Sequence, residues 1–130
     1  MGQLLRAISK NGGVACYVAQ TTDVVARAEQ IHTTSAVVTA ALGRLLTAAS
    51  IMGSALKSEE ASVTLRMMGD GPVGALIAVA DWKGNVRGYA ANPVVELPLN
   101  SFGKLDVGGA VGHTGTLSVV KDLGMGDPYV

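Results

Sequence analysis

Gly69-Asp70-Gly71-Pro72-Val73-Gly74 matches, in residue type and spacing, the G-x-G-x-x-G turn that cradles a dinucleotide pyrophosphate. In that device glycines let backbone N–H groups approach the phosphates, and a helix starting just after the turn adds its positive end. A run with strand character, Val63 to Met68, precedes the turn, as the device requires. The residues on its other side do not fit: Val73 to Asp81 reads VGALIAVAD, apolar and β-branched, and ends in the turn residues Trp82-Lys83-Gly84-Asn85. The segment is therefore expected to turn between two strands, with a nucleotide-binding enzyme built on Gly69–Gly74 as the alternative.

Other chemistry is sparse. His32 and His113 are the only imidazoles, and neither stands at metal-ligand spacing from the other or from carboxylates. Glu59-Glu60, the only adjacent acids, read as a solvated turn. No Gly-x-Ser-x-Gly elbow is present, and spacing assembles no nucleophile, base and orienter. Cys16 is the only cysteine, which rules out an internal disulfide or a zinc site of several thiolates within these residues; a small buried residue in a strand is expected there. No catalytic, cofactor-binding or metal-binding residue is assigned, and an enzyme is not expected.

The element that has to position the rest is the stretch Ala36 to Leu56, AVVTAALGRLLTAASIMGSAL, whose only charge is Arg44. Apolar or small residues fall on every face, so a helix buried nearly all round is expected. A membrane span has the same length, about 20 residues. Arg44 at mid-membrane, the punctuating Thr39, Thr47, Ser50 and Ser54, and the β-type sequence beyond Leu56 favour a core helix. Gly43 costs about 1 kcal/mol against alanine in mid-helix, so tight packing is expected there. Arg44 reads as a snorkelling or paired structural arginine, with an anion site as the alternative.

Around this helix the pattern is of short strands. Leu4–Ser9 and Val14–Gln20 flank Lys10-Asn11-Gly12-Gly13 as a first hairpin. Thr21-Thr22-Asp23 is capping chemistry for a short helix over Val24–Ile31, and His32-Thr33-Thr34-Ser35 offers caps for the long one. Period two over Val63–Met68 gives a half-buried strand with Val63, Leu65 and Met67 on one face. Val86–Ala91 closes a second hairpin, whose Val86, Tyr89 and Ala91 echo Val14, Tyr17 and Ala19 and suggest related places and paired tyrosine tips. Val94–Leu99 is expected as an edge strand because of Pro98, Leu105–Val111 as a short helix, and Thr116–Val120 as a strand in need of a partner.

Composition sets further bounds. The 130 residues suit one domain. Ten basic and ten acidic residues cancel, and aromatics make up 4%, so neither a basic field nor a base-stacking surface for nucleic acid is expected. No signal-like or myristoylation segment is recognised at the amino terminus, and the expectations are cytoplasmic residence and no membrane partner.

Several of these segments together resemble the heat-shock protein 33 family, redox-regulated holdase chaperones. The matching words are Thr21-Thr22-Asp23 with His32, Ala41-Leu42-Gly43-Arg44, Gly69–Gly74, Val86-Arg87-Gly88-Tyr89 through Asn92-Pro93, Gly103–Val107 and Gly115–Gly124, in order and in register. Ala36 departs from the family, where a proline is common. The resemblance implies an α+β fold, a long buried helix on antiparallel hairpins and sheet. Residues 1–130 would form the amino-terminal portion of the chaperone and dimerisation domain, a fragment of it. The family's zinc redox-switch domain, with its four cysteines, would lie outside this sequence, and Cys16 matches none of those four.

The implied activity is ATP-independent holding of unfolding client proteins under oxidative and heat stress, by a homodimer that oxidation activates. Zinc is implied only for the absent domain. Met67, Met68 and the strand around Leu76 to Val79 are candidates for an apolar client surface, with core packing as the competing reading, and no client-binding residue is assigned. A plain oligomerisation module, motivated by the buried helix and the unfinished sheet, is the remaining alternative.

Overall fold

Residues 36–54 form one helix because nothing in them breaks it: there is no proline, and the apolar positions recur every three or four residues. In the computed structural model, which describes residues 2–130, this helix is α2 (Ala36–Ser54). It comes after a hairpin of β1 (Gln3–Ile8) and β2 (Ala15–Gln20) and a shorter helix α1 (Thr22–His32). After it come β3 (Ser62–Gly69), β4 (Ala75–Asp81), β5 (Val86–Ala90), a single helical turn α3 (Val107–Val111) and β6 (Gly115–Asp122). β1 and β2 make a two-stranded sheet, and the others an antiparallel sheet in the order β5-β4-β3-β6.

The core lies between α2 and this four-stranded sheet. Alternation puts Val63 and Leu65 of β3 and Leu76, Ala78 and Ala80 of β4 on the face beneath the helix, where they meet Val38, Leu42, Leu46 and Ala49. Leu42 and Val38 are fully buried, each stabilising the fold by roughly 1.5–3 kcal/mol relative to exposure. The expected tight packing at Gly43 is present: a Cβ there would stand 2.8 Å from Val25 Cγ1, so α1 closes directly on that turn of α2.

Three expectations are corrected and one is met. α2 is not buried all round: Ala36, Arg44 and Ala48 are exposed on the face away from the sheet, where the described residues supply no cover. Arg44 reaches water and has neither hydrogen bond nor ion pair among the described residues. Cys16 does lie in a strand but is exposed, because among the described residues no second layer covers that face of the β1–β2 hairpin. Residues 94–99 form no strand: Pro98 lacks a ladder donor, and the Val95 N–H and C=O are both bound to the Ser35 hydroxyl. The expected strand over Thr116–Val120 does form and does have the partner it needs: β6 pairs along its whole length with β3, from Ser62↔Asp122 to Gly69↔Gly115.

The capping residues act at long range. Neither Thr21 nor Ser35, at the two helix starts, caps with its side chain. The Thr21 hydroxyl meets that of Thr47 at 2.7 Å, tying α1 to α2. Ser35 Oγ donates to Val95 O (2.9 Å) and accepts from Val95 N–H (3.0 Å), while Ser35 N–H donates to Pro93 O, pinning the extended 92–99 segment to the start of α2. The two echoed hairpins lie in different sheets, and their tyrosines, Tyr17 and Tyr89, are exposed with no hydrogen bond at either phenol among the described residues.

The β4–β5 turn is held by one carboxylate. Asp81 Oδ1 accepts from Lys83 N–H (2.9 Å) and Asn85 N–H (3.0 Å), and Oδ2 from Asn85 Nδ2 (3.1 Å). Partial burial pushes its pKa up, but the Asn85 side chain and backbone, the Lys83 amide and the Lys83 charge together outweigh that and leave it below the ordinary value. The stabilisation from ionised Asp81 is thus complete above the ordinary carboxylate pKa, about 4, and fades as pH falls through the lower folded value. Asp81→Asn is expected to flatten the acid side of the melting-temperature profile below about pH 4. Superimposable acid limbs for the two proteins would remove Asp81 from the account.

Candidate functional site

The glycine segment is the first place to look for a site, and its amides are already used. Asp70 N–H donates to Thr114 O, Gly71 N–H to Val111 O, Val73 N–H to Ala110 O and Gly74 N–H to Gly71 O, at 3.0 to 3.2 Å. Asp70 Oδ1 accepts from the amides of His113 (3.0 Å) and Thr114 (3.4 Å). Asn92 Nδ2 donates to Pro72 O (2.8 Å). The segment leads into β4 rather than a helix, so no cradle of free amides with a helix end behind it is formed. Its glycines let residues 69–71 lie flat against the 110–115 backbone.

The remaining candidates do not converge. Among the described residues no three His, Cys, Asp or Glu side chains come together in a way that could hold a metal ion. The zinc implied by the resemblance therefore has no donor set here, and no step is derived through it. Of the apolar candidates, Leu76 and Ala78 are core and Met67 packs against it, whereas Ile77 and Val79 are half-buried on the opposite face and Met68 is exposed. β4 alternates, so only its odd-numbered residues face away from α2.

What the fold does present is uncovered apolar surface in three places. Leu5 and Val18 face each other across the β1–β2 hairpin, flanked by Ala7 and Cys16 with no charge on that face. The 92–105 segment carries Val94, Leu99 and Phe102 outward, Phe102 at 83% exposure. The third place is a groove of about 1250 Å³ between α1 and the outer edge of β5. Val24, Ala28 and Ile31 of α1 and residues 86–90 of β5 line it, together with the cations Arg27, Lys83 and Arg87, residues 2–4 and Gln20 beside the first hairpin, and Ile77 and Val79 of β4. Sequence reasoning missed this groove, because α1 and β5 lie far apart in the chain. A shallower groove of about 940 Å³ runs between α1 and α2 past Arg44.

The structure defines an α+β domain, a helix-backed antiparallel sheet with apolar surface left open among the described residues. Comparison supplies the family: residues 2–130 match the model of the Hsp33 protein family, and the chain belongs to it. It is 50% identical over 127 residues to the 33 kDa chaperonin of Acetivibrio thermocellus, covering 98% of this chain and 43% of that protein. With the 33 kDa chaperonin of Bacillus licheniformis identity is 49%, over 99% of this chain and 44% of the relative. The crystal structure of the 33 kDa chaperonin from Thermotoga maritima superposes with a TM-score of 0.90 at 38% identity, over 97% of this chain and 43% of that one. The chain thus spans less than half the length of the curated relatives it matches. The expected α+β architecture is the one observed.

Proposed function

We propose that this chain acts in an ATP-independent holdase chaperone, binding unfolding polypeptides so that they do not aggregate. The observation that supports it is the amount of large apolar surface left open by an otherwise well-packed domain, Leu5, Ile8 and Phe102 each being more than two-thirds exposed. Relatives named 33 kDa chaperonin point the same way. A holdase needs broad adaptable surface, not a positioned nucleophile. Redox control belongs, in this reading, to a zinc-binding region outside residues 2–130, with Cys16 taking no part. The protein works in the cytoplasm as a homodimer, for which the unpaired strand edges offer pairing sites.

The test is light scattering from a thermally unfolding client in the presence of this chain and, separately, of a full-length relative kept reduced or oxidised. Suppression by the relative only after oxidation, with Cys16→Ser in this chain changing nothing, is the expected pattern. Equal inactivity of every sample would overturn the reading.

A further inference from the structure

We propose that the groove between α1 and the outer edge of β5 takes up an extended client segment as an added strand, one that carries carboxylates among apolar residues. This rests on the chaperone reading and names the class of polypeptide it favours.

Backbone geometry selects an extended occupant. Asp81 N–H donates to Asn85 O (3.1 Å) and Ala91 N–H to Ala75 O (2.8 Å), which fixes the hydrogen-bonding phase of the β4–β5 pair. Residues 87 and 89 therefore bond towards β4, and Val86, Gly88 and Ala90 turn their N–H and C=O groups outward. β5 is an end strand, and among the described residues no strand pairs with that outer side. Val86 and Gly88 are half-buried and Ala90 is buried, so the row is reachable at Val86 and Gly88, where unpaired donors and acceptors are satisfied by another extended backbone, with neighbouring side-chain pockets setting preference. Across the groove, Val24, Ala28 and Ile31 repeat at helical spacing and give the added strand an apolar wall. The two walls match in length: five residues of β5 span about 17 Å and eleven of α1 about 16 Å.

Charge selects the sequence of that occupant. Arg27, Lys83 and Arg87 line the groove with His32, against a single carboxylate, Asp23, which is already engaged in an interaction of its own. The Asp81 carboxylate is committed to its turn. Arg87 has no hydrogen bond or ion pair among the described residues, and it sits on the edge strand itself. Cations placed there repel basic strands and admit acidic ones, so one feature supplies both attraction and exclusion.

The experiment uses a labelled, end-blocked peptide of about seven residues alternating valine and glutamate, and a lysine counterpart, titrated by fluorescence anisotropy. Saturable binding of the glutamate peptide is expected, with the lysine peptide weaker by about tenfold or more. Arg87→Glu should narrow or reverse that preference and Arg87→Lys should keep it. Amide exchange at Val86 and Gly88, the half-buried outward positions, should slow on binding. Binding blind to charge, or exchange at those amides unchanged by peptide, would overturn the proposal. So would amides already protected before peptide is added, which would assign the edge to a second copy if protection rises with concentration and to another part of the protein if it does not. The client-scattering assay, run on the same sample, separates the two readings. Scattering suppressed without peptide binding leaves the chaperone and removes the groove, whereas charge-selective peptide binding without suppression does the reverse.

Discussion

Leucine in place of Gly53 is expected to cost about 4 kcal/mol of folding stability. Gly53 is buried in the last turn of α2, where the helix crosses the end of β4. A Cβ at this position would press on the carbonyl oxygen of Asp81 and stand 2.7 Å from Ala80 Cβ. One neighbour is backbone and the other is a methyl fixed to it, so neither can swing aside. Alanine shows the balance of terms: it recovers about 1 kcal/mol of helix propensity, but overpacking costs up to about 3, and destabilisation wins. Leucine adds three further carbons with no space for them, and α2 has to lift from the sheet. Urea unfolding should show a lower midpoint at nearly unchanged slope, while Ala48→Leu on the exposed face should move stability by no more than about 0.5 kcal/mol. Stability of the Gly53 variant within about 1 kcal/mol of the parent would contradict this packing.

Local patterns are legible in the sequence, and long-range ones are not. The proline-free, largely apolar run of α2, the period-two alternation of β3 and the glycine turn between β1 and β2 depend on neighbours a few residues away, and each forms where its pattern places it. Burial of Cys16 depends instead on whether a second layer reaches β2, which its own residues do not encode. Thr21 and Ser35 have the right chemistry for caps, but partners 26 and 60 residues away take their hydroxyls. Val94 to Leu99 has strand-like side chains, but Pro98 has no donor and Ser35, 60 residues away, takes the Val95 amide and carbonyl. The α1–β5 groove depends on how α1, α2 and the sheet pack together, so composition holds no trace of it.

Valine in place of Gly71 is expected to cost about 3 kcal/mol, for a reason that separates the two meanings of a glycine-rich turn. A glycine required by conformation shows a positive φ; Gly74 does, at 74°, and Gly71 does not. Gly71 is required by proximity, because a Cβ there would stand 2.6 Å from Gly112 N and from the carbonyl carbon of Val111. Its own N–H donates to Val111 O at 3.0 Å, so valine both overlaps the 110–112 backbone and pulls apart the bond that seats it. The damage should extend to Val73, fully buried at this junction, and to the Asp70 bonds that hold residues 113 and 114. Unfolding in urea and titration with NAD and ATP, on parent and variant together, distinguish the readings. A packing glycine predicts a large loss of stability and no saturable nucleotide binding by either protein. A phosphate-cradling glycine predicts a variant of nearly unchanged stability that has lost a binding isotherm the parent possesses. With four of the segment's amides already donated within the protein, the first pattern is the one the geometry requires.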